Sequence, residues 1–132
     1  MVRAGCHVTV VTYGRMVHEC RKLAEKLAGD GIEVELIDLR TLIPYDWDAI
    51  VTSVRKTNRV VFVNEDTEVT NFGEHLIRRT VDELFYELHA PPKLIAGANV
   101  PGVGLADNLE RASVPQPDEI EAAVRALAAH VP

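Results

Sequence analysis

Three short clusters hold the residues that could do chemistry. Asp38 and Arg40 flank Leu39 directly after an apolar run, with Pro44 and Asp46 just beyond. A carboxylate and a guanidinium at a strand end could bind an anion or a ribose, because open α/β sheets take ligands beyond the carboxyl ends of their strands. Gly14-Arg15 follows a second apolar run and opens a helical pattern, whose free N–H groups would attract an anion. Asn64-Glu65-Asp66-Thr67 follows a third. Neighbouring carboxylates can split their pKa values for acid–base work or hold a hard cation.

Each reading competes with a plainer one. A dinucleotide site needs G-x-G-x-x-G after the first strand, and Gly14-Arg15-Met16-Val17-His18 supplies a single glycine. The acidic stretch lacks an Asp-x-Asp-x-Asp-Gly calcium loop, and a solvated turn explains it. The five histidines have no ligand spacing, and no nucleophile elbow is present. Arg40 is expected to fix its corner through an ion pair with Asp38 or bonds to carbonyls, since arginine suits such structural contacts.

The elements that must position these residues alternate. Val8 to Tyr13 is β-branched and reads as a buried strand. Met16 to Ala28 follows with apolar residues at helical spacing, closed by Gly29-Asp30-Gly31. Glu33 to Leu39 is the second strand. Asp46 is a good N-cap for a helix running to Lys56, and Asn58 ends it. Arg59 to Val63 is the third strand, continuous and apolar, as when both faces are covered. Asn64 to Thr70 reads as a loop. Asn71 and Glu74 form a capping-box pattern for a helix to Leu88, with Ile77, Val81, Leu84, Phe85 and Leu88 inward. Lys93 to Gly97 is the fourth strand and Leu105 to Ala112 a short helix. Pro117 opens the last helix, with Ile120, Ala123, Val124 and Leu127 inward.

Such alternation predicts parallel strands with right-handed crossovers, an α/β three-layer fold in a single domain spanning 1–132. A strand order of 2-1-3-4 would place the switch point between the first and third strands. Gly14-Arg15 would then face Asn64-Glu65-Asp66-Thr67.

The net charge of −6 argues against nucleic acid, whose phosphates need Lys and Arg. It leaves room for a basic partner. No apolar run approaches the ~20 residues of a membrane span. The first residues lack the apolar core of a secretory signal. The two cysteines, Cys6 and Cys20, read as reduced thiols. The expected location is the cytoplasm or an equivalent such as the mitochondrial matrix.

A more specific pattern lies in the order of several motifs. Val-Thr-Val-Val-Thr-Tyr-Gly (8–14), Asp-Leu-Arg-Thr-Leu-Ile-Pro-Tyr-Asp (38–46) and Asn-Glu-Asp (64–66) come in turn. Phe-Gly-Glu (72–74), His-Ala-Pro (89–91) and Asp-Glu-Ile-Glu-Ala-Ala-Val (118–124) follow. Together they resemble the C-terminal domain of the β subunit of thiamine-diphosphate-dependent 2-oxo acid dehydrogenases, a relative of the transketolase C-terminal domain. The resemblance implies a three-layer α/β/α domain with a mostly parallel sheet and one antiparallel strand ahead of the first parallel one. Only residues 1–5 precede Cys6, so that strand is expected to be truncated or absent and strand 33–39 to be left as an open edge.

In that family, thiamine diphosphate and Mg lie between a pyrimidine-binding domain and the α subunit. The resemblance therefore implies no catalytic, cofactor-binding or metal residues here. It implies assembly contacts with the pyrimidine-binding domain, the α subunit, a second copy of the subunit and the dihydrolipoyl acyltransferase. Gly14, Arg15, Asn64, Glu65, Asp66 and Thr67 are the candidates for a subunit or active-site border. Asp38, Arg40, Pro44 and Asp46 read as an architectural signature. Relatives often carry His-Glu at 64–65, Gly near 71 and an acid at 89, so Asn71 is expected to be strained and His89 to weaken a basic contact. The alternative is a free-standing flavodoxin-like module binding a small anion or nucleotide at the switch point.

Overall fold

The computed structural model describes residues 1–132. The elements in order are β1 (Val8–Thr12), α1 (Met16–Gly29), β2 (Val34–Asp38), α2 (Trp47–Thr57) and β3 (Val60–Thr67). Then come α3 (Phe72–Leu84), a 3-10 turn (Phe85–Glu87), β4 (Lys93–Gly97), α4 (Asp107–Ser113) and α5 (Pro117–Ala129). The strands pair in parallel in the order β2-β1-β3-β4.

Period-two alternation sends successive side chains to opposite faces. Val8, Val10, Val61 and Val63 pack under α1 and α5 with Met16, Leu27, Ile120 and Val124. Val11, Ile37, Val60 and Phe62 pack under α2 and α3 with Trp47, Ile50, Leu76 and Leu84. That makes a three-layer α/β/α fold.

Local chemistry sets the helix ends. Asp46 accepts a hydrogen bond from Ala49 N at 3.0 Å and caps α2. Asn58 stops it in the left-handed region at φ 57°. Gln116 and Glu119 form the capping box of α5.

Several sequence expectations need correction. The loop expected from Asn64 begins later, because β3 runs on to Thr67 and Thr67 registers with Gly97 after an irregularity in the ladder. Helix α3 stops at Leu84, not Leu88. Its buried stripe is Leu76, Thr80 and Leu84, while Val81 and Phe85 are exposed. A helix phased on Leu76 turns Val81 to the solvent side, and the 3-10 turn carries Phe85 outward. Asn71 is unstrained at φ −98° and caps α3 by accepting from Glu74 N at 3.2 Å. The positive φ belongs to Thr70, at 63°, a rare conformation for a β-branched residue.

The β2 edge is covered over its middle. Val2 N donates to Leu36 O at 2.8 Å and Leu36 N to Arg3 O at 2.9 Å, an isolated antiparallel bridge. Arg3 also donates to Val34 O at 2.8 Å and to Glu33 at 2.6 Å. Gly5 lies so close that a Cβ there would sit 2.3 Å from Val34 C.

Two of the buried polar features involve the sheet and α2. Thr9 Oγ1 is 2.7 Å from both Ser53 Oγ and Thr57 Oγ1. Glu35 is nearly inaccessible, ion-paired with Lys56 and accepting from Gly5 N at 3.1 Å. Burial alone would push the Glu35 carboxyl up. The hydrogen bonds from Lys56 and Gly5 and the Lys56 charge outweigh it and hold the group below the ordinary carboxylate range.

Candidate functional site

The carboxyl ends of the strands form one rim, along which the loops follow the strand order. Because β1 lies beside β3, the rim brings Arg15 to Glu65, with Nη1 to Oε1 at 3.5 Å. The same Nη1 reaches Glu110 Oε1 of α4 at 3.4 Å. Arg15 thus ties the start of α1 to the end of β3 and to α4. Glu110 escaped sequence reasoning, because it lies 95 residues from Arg15 and only the crossover to α4 unites them. Gly14, at φ 64°, turns the chain from β1 into α1 with open space around it.

The other candidates have local work. Asp66 accepts from Thr67 N at 2.8 Å. Thr67 Oγ1 reaches Asn99 Oδ1 at 3.4 Å, and Glu68 N donates to Gly97 O at 2.7 Å, tying the β3 end to the β4 loop. Asn64 is buried and donates to Asn71 Oδ1 at 3.4 Å. Asn71 in turn donates to Thr67 O at 2.7 Å. Tyr13 borders this end, and burial together with the nearby Asp66 charge raises its phenol pKa.

The Asp38–Asp46 corner carries the expected Arg40–Asp38 ion pair together with a second set of contacts. Arg40 has an 89% exposed side chain and meets Asp38 only at 3.5 Å, with no bond to a carbonyl. What anchors the corner is aromatic. Tyr45 packs edge-on to Trp47 and Phe72. Its hydroxyl accepts from Arg79 at 2.9 Å and sits 2.7 Å from His75 Nε2. Arg79 lies over the Trp47 ring at 4.3 Å, and Glu83 accepts from both Arg79 and Trp47 Nε1. The Glu83 carboxyl is held low by those bonds. Ile43-Pro44 is a cis peptide bond whose Ile43 side chain is almost wholly exposed. Exposed ion pairs contribute about 0–1 kcal/mol, so Arg40→Ala should change stability by less than about 0.5 kcal/mol. A urea titration that found a larger loss would restore Arg40 to a structural part.

No group of three His, Cys, Asp or Glu side chains is placed to hold a metal ion, and Glu65 pairs with Arg15. Cys6 is exposed, and burial pushes the Cys20 thiol up to about 12, so Cys20 is no ready nucleophile. His89 and His130 line an apolar hollow with Phe85, Tyr86 and Pro91 at the opposite end of the molecule. No helix is long and apolar enough to cross a membrane.

Comparison with known proteins gives this arrangement a context. The family described as "Transketolase, C-terminal domain" matches residues 1–120. The 2-oxoisovalerate dehydrogenase subunit beta of Bacillus subtilis is 37% identical over 126 residues, covering 96% of this chain and 38% of the relative. A mitochondrial pyruvate dehydrogenase E1 component subunit beta-2 of Oryza sativa is 43% identical over 131 residues, covering 98% and 35%. The subunit beta of acetoin:2,6-dichlorophenolindophenol oxidoreductase from Cupriavidus necator is 37% identical over 125 residues, covering 95% and 37%. The chain spans little more than a third of the length of these relatives. Among solved structures, a split gene transketolase in an inactive beta4 tetramer superposes with a TM-score of 0.83 at 23% identity, over 98% of this chain and 42% of that one, a likeness of fold. By sequence and by fold, the chain belongs to the transketolase C-terminal domain family.

Proposed function

We propose that the chain serves as the assembly domain of the β subunit of a thiamine-diphosphate-dependent 2-oxo acid dehydrogenase. The complete enzyme would decarboxylate a 2-oxo acid and pass the acyl group to a lipoyl-lysine. In this reading the pyrimidine-binding domain and the α subunit hold thiamine diphosphate and Mg. This domain shapes the border of their site and contacts neighbouring subunits, and it has no activity alone. The observation that carries the reading is the match along 96% of the chain to 38% of a 2-oxoisovalerate dehydrogenase subunit beta, together with the C-terminal-domain family match over residues 1–120.

The chemistry of the rim supports it. Arg15, the cation at the switch point, faces two carboxylates there, Glu65 and Glu110, which disfavour an anion beside it. The Arg15–Glu65–Glu110 set brings three elements together at the rim through solvent-accessible contacts that contribute about 0–1 kcal/mol each.

Titration calorimetry of the isolated chain with thiamine diphosphate and Mg should show no heat of binding. A measurable 1:1 isotherm would sink the assembly-only reading. Thermal shift with inorganic phosphate and with nucleotides separates it from a free-standing anion-binding module, which requires stabilisation by one of them.

A further inference from the structure

The corner beside α3 holds a hydrogen-bond arrangement that a single proton would change. Arginine has no acceptor, so the Tyr45 hydroxyl must accept from Arg79 Nη1, at 2.9 Å. Its own proton is left for His75 Nε2, at 2.7 Å. That bond requires a neutral imidazole with its proton on Nδ1. His75 is exposed, so a proton reaches the ring without any unfolding.

A charged ring fits poorly. Both of its nitrogens donate, so the Tyr45 oxygen would face two cationic donors, Arg79 and His75, and its own proton would lose its acceptor. The neighbouring carboxylates are engaged elsewhere. Glu74 accepts from Thr70 N, Asp82 pairs with Arg78, and Glu83 is held by Arg79 and Trp47 Nε1. Across from α3, the corner presents Leu42, Ile43, Pro44 and the Tyr45 phenol, while Asp46 caps Ala49 N. Stacking on Phe72, with ring centres 5.6 Å apart and planes tilted by 32°, would favour a charged ring, but weakly where solvent reaches it.

We propose that Tyr45 and His75 form a proton-operated latch. Neutral His75 closes the corner onto α3. Its protonation releases Tyr45 and opens the apolar hollow of about 380 Å³ that Ile43, Pro44 and Phe72 line. Phe72 also meets Tyr13 edge-on, 6.3 Å between centres. Release at the corner is therefore felt at the end of β1, beside Gly14 and Arg15. The latch needs neither thiamine diphosphate nor a partner, so its failure is distinct from failure of the dehydrogenase reading.

The test is a pH titration of the full ¹⁵N-labelled chain from about pH 8 to 5, the range in which histidines charge. At the alkaline end the two-bond ¹H–¹⁵N spectrum of His75 should show a bare Nε2 and a proton on Nδ1. As pH falls, amide shifts at Tyr13, Phe72 and residues 42–45 should move on the same curve as the His75 ring. Emission from Trp47, the one tryptophan, should follow, because Arg79 lies over its ring and bonds Tyr45. His75→Gln, whose amide oxygen can still accept from Tyr45, should abolish the Trp47 response. A proton on Nε2 at the alkaline end would overturn the proposal, since Tyr45 would then accept from His75. So would a His75 titration that leaves residues 42–45 unmoved, or a Trp47 response that survives in His75→Gln. The first two readouts use the unsubstituted chain and hold whether or not the variant folds.

Discussion

Replacing Lys56 with methionine should cost about 3 kcal/mol of folding free energy at neutral pH, because it strands a buried carboxylate. The Glu35 side chain is 4% exposed and that of Lys56 48%. The two halves of the pair are therefore unequal. Without the ammonium, Glu35 keeps the N–H of Gly5 but loses the charge that offsets its burial. Glu35→Gln should cost only about 1 kcal/mol, since half-exposed Lys56 can rehydrate and the amide can still accept from Gly5.

The pH dependence gives the sharper check. In the wild type the folded carboxyl lies below its unfolded value, so its contribution is complete above about pH 4.3 and is lost as pH falls through the folded value. In Lys56→Met the ammonium no longer offsets burial, which only the hydrogen bonds from Gly5 and Ser53 still oppose, and the folded value is expected to rise above the unfolded one. The sign reverses, and the variant recovers stability relative to wild type as acid protonates Glu35. Guanidinium titrations at pH 7 and near pH 4 should show a large deficit that shrinks. A deficit equal at both, or a larger cost for Glu35→Gln than for Lys56→Met, would rule out this account.

That pair also shows where sequence reasoning stops. An acid inside Val-Glu-Leu-Ile-Asp can face water or core, and the answer depends on Lys56 and Gly5, both more than 20 residues away in the chain. The architecture was legible because its signals are local. Continuous apolar runs predict covered parallel strands, and Asp46 and Asn58 each bound α2 by their own hydrogen bonding or backbone conformation. The meeting of Arg15 with Glu65 follows from strand order alone. The extension of β3 through Asn64–Thr67 was hidden, because polar residues there pair with the irregular end of β4 and carry no strand pattern. Val81 and Phe85 misled because their apolar character points inward while the phase of α3 turns them out. At the Asp38–Asp46 corner the Arg40–Asp38 ion pair was legible, whereas the set of Tyr45, Trp47 and Arg79 was not, because Arg79 lies more than 30 residues from the turn it meets.

Gly97→Ala should destabilise the chain by about 2–3 kcal/mol, the cost of overpacking a site with no room to give. A Cβ at Gly97 would lie 2.7 Å from Glu65 O and 3.1 Å from both Asp66 O and Ser113 O. All three obstacles are backbone oxygens, so no side chain can rotate away. The conformation of Gly97 is not the reason, because its φ is not positive; the reason is space. Relief requires the end of β3 or the end of α4 to move. Either shift strains the Glu68 N to Gly97 O and Ala98 N to Ser113 O bonds that join them. Hydrogen exchange should therefore accelerate at residues 65–68 and 107–113 while amides of β1 stay protected. Gly29→Ala is the control, because a Cβ there meets nothing within 4 Å. It removes backbone freedom from the unfolded chain and should be neutral or stabilising by up to about 1 kcal/mol. If Gly97→Ala matched Gly29→Ala in stability and exchange, the β3 end and α4 would be loose neighbours. The rim would then lack the rigidity that an assembly surface needs.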